Sequence, residues 1–358
     1  MSGALADKMQ QHEAFWRGEG PCLIFIPAET QELYDLQEYP MRFHNPLAMW
    51  ESEMRRARAL VDWPTDGIPC VRPNLGVIFV PTMLGLGYRL PEQAMPWPGE
   101  PLDRAAIQKA RGNDIAASET MRLAAEFYAI HRAAAEEEVV PYHADTQGVF
   151  DIAHLLYGEA LFYDLPNPDR AAWVEELLRI SREFYTQATS QLKAMLEEPA
   201  GSMIHGHGTC QGVYFPTAGA RSAEDTATLI SPAMIEQFVL PHIAQTADAF
   251  GGLFVHFCGR HPTMLEQFCR MNAVRAIDLG NPEFYDTRHV MELCAETGTV
   301  LHSRLAVLPG ETWRAYIERL ATLTRDTGAR VLLRPLAIPE TREACAQMRE
   351  YWHENTCL

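Results

Sequence analysis

What this chain of 358 residues lacks narrows its reading before any motif is considered. It has no apolar run of the ~20 residues that a bilayer-crossing helix requires, so no membrane partner is expected. It has no basic excess. The formal net charge is −17, which argues against nucleic acid and anionic membrane surfaces, since both recruit Lys and Arg. It has no CxxC and no compact cysteine framework. Eight cysteines are scattered between Cys22 and Cys357, the usage of reduced thiols in a cytoplasmic protein. The polar, helix-like residues 1–17 carry no signal-peptide core, so export is not expected. No internal repeat or low-complexity linker divides the chain. The first apolar run, residues 22–27, is not followed by the GxGxxG that a dinucleotide-binding open sheet places there.

What is present is an alternation. A hydrophobic content of 47% supplies a sizeable core, and short apolar runs alternate with stretches of helical period. Residues 22–27, 71–81, 139–142, 202–207, 251–259, 273–279, 299–304 and 329–334 read as strands. Helices are predicted at 46–61, at 103–132 with a break at Gly112-Asn113, and at 150–161, 168–196, 262–271, 284–297, 311–327 and 339–353. Another opens at Pro232 with Ser231 as its N-cap, and the 311–327 helix stops at Gly328. Cys269, Cys294 and Cys345 fall in helical patterns as core packing. A loop rich in Glu, Tyr and Pro follows the first strand, and a long Gly- and Pro-rich loop spans 82–101. Eight strands, each followed by helix, predict an α/β fold with a parallel sheet and outer helices. Eight such units match a (β/α)8 barrel. The expected organisation is one domain over residues 1–358, with residues 1–21 as an N-terminal helical extension.

In such barrels the active site lies at the C-terminal ends of the strands, and here those ends are rich in reactive side chains. The third strand ends in His143 and Asp145, with Gln147 beyond. The fourth ends in His205 and His207, the fifth in His256 and Cys258, the sixth in Asp278, the seventh in His302 and Arg304, the eighth in Arg334. Three of these are i, i+2 pairs, so each pair shares one face. His256 and Cys258 aim an imidazole and a thiol into one space, a common start to a zinc site. Their neighbours carry plainer readings as well. His205-Gly206-His207 also reads as a flexible turn with exposed imidazoles. Asp145 and Asp278 also read as carboxylates that orient an imidazole. Arg304 and Arg334 either pair with acids or hold a substrate carboxylate. Tyr88 and Trp97 either shape an apolar mouth to the pocket or simply pack.

Three segments resemble the uroporphyrinogen decarboxylase superfamily. Asp145-Thr146-Gln147-Gly148-Val149-Phe150-Asp151-Ile152-Ala153 is similar to its QGP segment and the helix that follows. Leu229-Ile230-Ser231-Pro232-Ala233-Met234, with Phe238-Val239-Leu240-Pro241, is similar to its LISPE and EFVLP segments. His256-Phe257-Cys258-Gly259 is similar to its H-x-C-G. The likeness runs from about residue 139 to the C-terminus and implies a (β/α)8 barrel.

The resemblance also implies one of two chemistries. The decarboxylase branch needs no metal or cofactor and holds a polycarboxylate tetrapyrrole with an Arg-rich segment near the N-terminus. No such cluster follows the first strand here, and Tyr88-Arg89-Leu90-Pro91-Glu92, similar in part, follows the second. The methyltransferase branch moves a methyl group from a methyl-corrinoid protein to a thiol. Its zinc is held by the H-x-C pair and a Cys after the last strand, and the related cobalamin-independent methionine synthases add a Glu from the strand between. The resemblance therefore implies zinc at His256 and Cys258, with Asp278 where that Glu lies. His302, on the neighbouring strand, is the candidate substitute for the Cys that residues 332–339 lack, so that Asp278 or His302 is expected to complete the site. His143, Asp145, His207 and Arg304 then position substrate or shuttle a proton, and Gln147, His205, Arg334 and Tyr88 contact it. The alternatives are a metal-free decarboxylase or lyase acting on a smaller carboxylate, and a non-catalytic barrel that binds a corrinoid protein or another partner. The sequence specifies neither the small-molecule substrate nor the oligomeric state.

Overall fold

Short apolar runs fold as strands and periodic stretches as helices, close to the expected spans. The computed structural model describes residues 3–28, 39–92 and 94–357. The Glu- and Tyr-rich loop expected after the first strand lies largely outside the described residues. The strands are β1 (Leu23–Ile24), β2 (Ile68–Val71), β3 (Tyr88–Arg89), β4 (Trp97–Pro98), β5 (Val140–Pro141), β6 (Met203–His205), β7 (Gln211–Phe215), β8 (Ala220–Ala223), β9 (Leu253–Phe257), β10 (Val274–Leu279), β11 (Val300–Ser303) and β12 (Val331–Leu333).

Six of them form a sheet in the order β1-β12-β11-β10-β9-β8, every pair parallel. Four more form a mixed sheet in the order β5-β2-β7-β6, in which β7 runs antiparallel to both neighbours. β3 and β4 pair as a small antiparallel ribbon. The fold is thus mixed α/β, and two expectations change. Among the described residues the eight strands become twelve, because the expected 82–101 loop holds the short strands β3 and β4, and the stretch between residues 208 and 224 folds as β7 and β8. Residues 71–81 are not one strand. β2 starts earlier, at Ile68, and Gly76–Ile78 and Phe79–Met83 are helical. Gly76 takes φ +68, and Pro73 and Pro81 cannot donate to a ladder, so an extended strand is not available there.

Outside the strands the helices follow the sequence signals. The 103–132 stretch breaks as expected into Arg104–Ala110 and Glu119–Ala133. Ser231 caps the helix opened by Pro232 through Met234 N. Gly328 ends Trp313–Thr327 in the left-handed conformation. Cys269, Cys294 and Cys345 are buried in helices. No described helix is long and apolar enough to cross a membrane.

The two sheets meet through specific contacts. Asp66 N donates to Ile24 O at 3.0 Å, Phe150 N donates to Glu224 Oε2 at 3.3 Å, and the rings of Phe215 and Phe254 stack at 4.9 Å. A buried aromatic pair of this kind contributes ~0.5–1.5 kcal/mol beyond its area.

Asp66, just ahead of β2, is a second tie. Its carboxylate accepts from Gln11 Nε2 (3.0 Å), Arg349 Nε (2.6 Å), His353 Nε2 (2.8 Å) and Ile24 N (2.8 Å). It thereby joins the helix Gly3–Arg17, β1 and the helix Arg342–Asn355. Burial alone would raise its pKa, but His353, Arg349 and the Ile24 N–H outweigh burial and hold the carboxyl well below the usual range. His12 completes the cluster. Its Nε2–H donates to Asp66 O at 2.8 Å and its Nδ1 accepts from Tyr214 N at 3.0 Å, which fixes a neutral ring. Burial lowers its pKa to about 4.

Candidate functional site

β10 lies between β9 and β11, in a register that sets Asp278 opposite His256 on one side and His302 on the other. The strand alternation then turns these side chains toward one region. Asp278 is fully buried and accepts from His256 Nδ1 at 2.5 Å, His302 Nδ1 at 2.8 Å and His207 Nε2 at 2.9 Å. Burial would raise its pKa; the adjoining His207 and His302 and their hydrogen bonds prevail and hold it well below the carboxylate range. Burial disfavours protonation of His256, but its hydrogen bonds to Asp278 and Cys258 raise its pKa to about 9. His302 responds the other way. Burial and the Arg334 cation lower it to about 4, and Arg334 Nε donates to its Nε2 at 2.9 Å. Both ring nitrogens of His302 are therefore occupied.

His207 reaches Asp278 from a strained turn. Its φ is +47, between Gly206 and Gly208. A Cβ at Gly206 would meet Thr209 O at 2.5 Å and Cys70 Sγ at 2.7 Å, so only glycine fits there. His207 N donates to His205 Nδ1 at 3.0 Å, and Arg334 braces the turn through Thr209 Oγ1 at 2.9 Å and Gly206 O at 3.3 Å. The His205–His207 turn is thus braced rather than loose, and its imidazoles are not exposed. Burial pushes the pKa of both rings well down. His207 Nδ1 is buried with no hydrogen-bond partner among the described residues.

At the end of β9, His256 Nε2 lies 3.5 Å from Cys258 Sγ and 3.6 Å from Asp225 Oδ1. Cys258 is exposed, and its N–H donates to the same Asp225 oxygen at 2.5 Å. A Cβ at Gly280 would stand 2.4 Å from Cys258 Sγ, so glycine keeps the space beside the thiol open. Asp225 follows β8, and its loop is anchored by buried Asp151. The Asp151 carboxylate accepts from Asp225 N at 3.0 Å and Thr226 N at 2.8 Å. Glu224 is buried alongside and accepts from Ser222 Oγ at 2.7 Å. Burial first, and then a like-charged neighbour, raises the pKa of Asp151 and of Glu224.

Among the described residues two overlapping groups bring metal-ligating atoms within 4.8 Å of one another: His207, His256 and Asp278, and Asp225, His256 and Cys258. The expected set of His256, Cys258, Asp278 and His302 is thus brought only partly together. His256 and Cys258 converge, whereas Asp278 stands behind His256 and His302 faces Arg334. Asp225, Asp151, Glu224 and Arg221 were not anticipated from the sequence.

The remaining expected residues divide. Asp145 accepts from Gln147 N (3.1 Å), Gln147 Nε2 (2.9 Å) and Arg221 Nη1 (2.9 Å), with Arg72 Nη1 at 3.7 Å. Burial opposes its ionisation, but Arg221 and Arg72 outweigh it and keep the carboxyl well below the usual range. Gln147 folds back on Asp145 with φ +59. His143 turns to Glu198 Oε2 at 2.7 Å, beside Lys193, which is 3.3 Å from the same oxygen. Arg334 is half-buried and serves as a brace. Arg304 is exposed at a cavity of about 390 Å³ that it lines with Gly280, Glu283, Val307 and Leu336, next to the Cys258 thiol. Tyr88 packs on Phe43, at the end of the short helix Tyr39–Phe43, and donates to Glu119 Oε2 at 3.1 Å in the helix Glu119–Ala133. Trp97, in the same ribbon, is exposed.

No protein-family model matches the chain, and no curated protein matches it. Among solved structures it is similar to a methyltransferase from Methanosarcina mazei, with a TM-score of 0.64 and 16% sequence identity, covering 97% of this chain and 98% of that one. At this identity the likeness is one of fold.

Proposed function

We propose that this chain is an enzyme of the uroporphyrinogen decarboxylase superfamily that moves a methyl group from a methyl-corrinoid, carried on a partner protein, to a small-molecule thiol, with zinc held at His256 and Cys258. The fold shared with the Methanosarcina mazei methyltransferase supports methyl transfer. The observation that carries the metal reading is the 3.5 Å approach of His256 Nε2 to the exposed Cys258 Sγ while Nδ1 is engaged by Asp278. The two sheets are read as arcs of one (β/α)8 barrel, which the Ile24–Asp66 and Phe150–Glu224 bonds across their seams support. The domain then spans residues 1–358, with residues 1–21 as an extension outside the barrel.

The donor set suits zinc. A neutral imidazole and a thiolate are preferred zinc ligands, and a carboxylate behind the imidazole is the usual outer partner. When bound, the metal supplies a Lewis acid that holds a thiol as thiolate near neutral pH and keeps a position open for it. The chain's own groups do the rest. Asp278 holds the His256 proton at Nδ1 and so directs Nε2 outward. His302 and Arg334 hold Asp278 in place. Arg304, at the adjoining cavity, offers a cation to an anionic end of the substrate. His207, with an unpaired Nδ1 beside His256, is the group placed to take up or return a proton. Asp145, Gln147 and His205 keep the floor of the site in position, and His143 does so from the Glu198 side.

Metal analysis of the purified protein and of Cys258→Ala, together with transfer from methylcobalamin to a small thiol, tests this. Zinc near one per chain and methyl transfer in the wild type, both lost in Cys258→Ala, are expected. Equal, near-zero zinc in both proteins would sink the proposal. Turnover of a carboxylate substrate that survives a chelator would point to the metal-free lyase, and binding of a methyl-corrinoid protein without transfer to the non-catalytic barrel.

A further inference from the structure

We infer that Asp225 is the third protein ligand of the metal, in place of the thiol that residues 332–339 lack, and that Asp151 is the positioning residue that holds it there. The inference rests on the reading that His256 and Cys258 hold a metal.

Distances separate the two candidate donor groups. Ligands at ~2.0–2.3 Å from one tetrahedral ion stand about 3.3–3.5 Å from each other. His256 Nε2 is 3.5 Å from Cys258 Sγ and 3.6 Å from Asp225 Oδ1. Both spacings are close to those between two ligands of one tetrahedral ion. The rival group has the opposite character. His256 Nδ1 to Asp278 Oδ2 is 2.5 Å, and His207 Nε2 to the same oxygen is 2.9 Å. Those are hydrogen-bond lengths, too close for two atoms ligating one ion. Asp278 also spends both oxygens on three imidazoles, and His302 has no nitrogen left over.

Charge and access agree with the distances. A neutral imidazole, a thiolate and a carboxylate balance a divalent ion. The side chain of Asp225 is 42% exposed and Cys258 is exposed, so a fourth position opens outward, as a catalytic zinc requires. The carboxylate does not reach this place by chance of rotamer. Asp151 grips the backbone N–H groups of Asp225 and Thr226 from below, and the Cys258 N–H fixes Oδ1 from the side.

The test measures zinc per chain and zinc affinity against a competing chelator, with the absorption of the cobalt(II)-substituted protein as a second readout. Wild type, Asp225→Ala, Asp225→Cys, Asp151→Asn and Cys258→Ala are compared, and thermal unfolding of the metal-free proteins shows that each is folded. Asp225→Ala is expected to weaken zinc by at least ~100-fold, beyond the range of an outer partner. The thiolate-to-cobalt band should persist, because Cys258 remains. Asp225→Cys is expected to restore binding and to strengthen that band through a second thiolate. Asp151→Asn is expected to weaken zinc by ~10-fold with the band unchanged. Wild-type affinity in Asp225→Ala, with zinc still lost in Cys258→Ala, would overturn the role of Asp225 and leave the metal reading standing. Absence of zinc from the wild type would overturn both.

Discussion

Asp66 and Asp278 are both fully buried carboxylates that gather histidines, yet their surroundings differ in one respect. At Asp66 the hydrogen bonds terminate. Its partners are a backbone N–H, an amide, a guanidinium and an imidazole drawn from the two ends of the chain, and the nearby His12 has both nitrogens satisfied. At Asp278 they continue. Each imidazole uses one nitrogen on the carboxylate and presents the other elsewhere: His256 toward Cys258, His302 toward Arg334, and His207 to no described partner. A buried acid whose partners end in cations and backbone anchors a fold. One whose partners have a second functional atom transmits orientation outward.

The contrast can be broken from either side. Asp66→Ala removes the common partner of Arg349, His353 and Ile24 N, and stability should fall by ~3–5 kcal/mol, read by urea unfolding, while zinc content is retained. A variant as stable as wild type would remove the anchor from the account. The second effect is in pH. The folded pKa of His12 is about 4, below its unfolded value of 6.5. Between those values the unfolded chain binds a proton that the folded chain refuses, so stability is full above about 6.5 and falls as pH is lowered toward 4. The loss approaches roughly 3 kcal/mol. Unfolding across this window should slope less steeply in His12→Gln; equal slopes would clear His12 of the effect.

Asp278→Asn addresses the other pole. It should weaken zinc by ~10–100-fold, through misoriented His256, with a smaller stability cost than Asp66→Ala. If it instead destabilises as much as Asp66→Ala with zinc intact, Asp278 is a second anchor and the distinction fails. The smallest effect concerns Tyr88, whose hydroxyl bonds Glu119 near the surface. Tyr88→Phe should shift stability by ~0.5 kcal/mol or less and leave the substrate KM unchanged, whereas a raised KM would return it to the site.

Much of this was legible in the sequence for a physical reason. Apolar runs that end in His, Asp or Cys mark strand ends, and His205, His207, His256, Asp278, His302 and Arg334 do come together around the ends of β6, β9, β10, β11 and β12. What the sequence does not encode locally is pairing. The register that sets Asp278 between His256 and His302 depends on neighbours about 20 residues away on either side, and it is what lets one carboxylate bond both rings. β8 escaped detection because Ala220-Arg221-Ser222-Ala223 has neither an apolar run nor branched side chains. It is buried through small residues, close against its neighbours. Arg221, Glu224 and Asp225 were hidden with it. His143 was placed at its strand end correctly, but side-chain direction is set by Glu198, which sits beyond the helix Ala171–Leu196 in sequence.

Gly280 carries a further consequence. Its hydrogen stands where any other residue would place a carbon 2.4 Å from the Cys258 sulfur. Gly280 also lines the cavity beside Arg304, so the room at that edge of the thiol depends on one absent methyl group. A single added carbon there would crowd the sulfur and, at 3.2 Å, the His256 ring at once, so the tolerance of this site is fixed by the smallest side chain beside it.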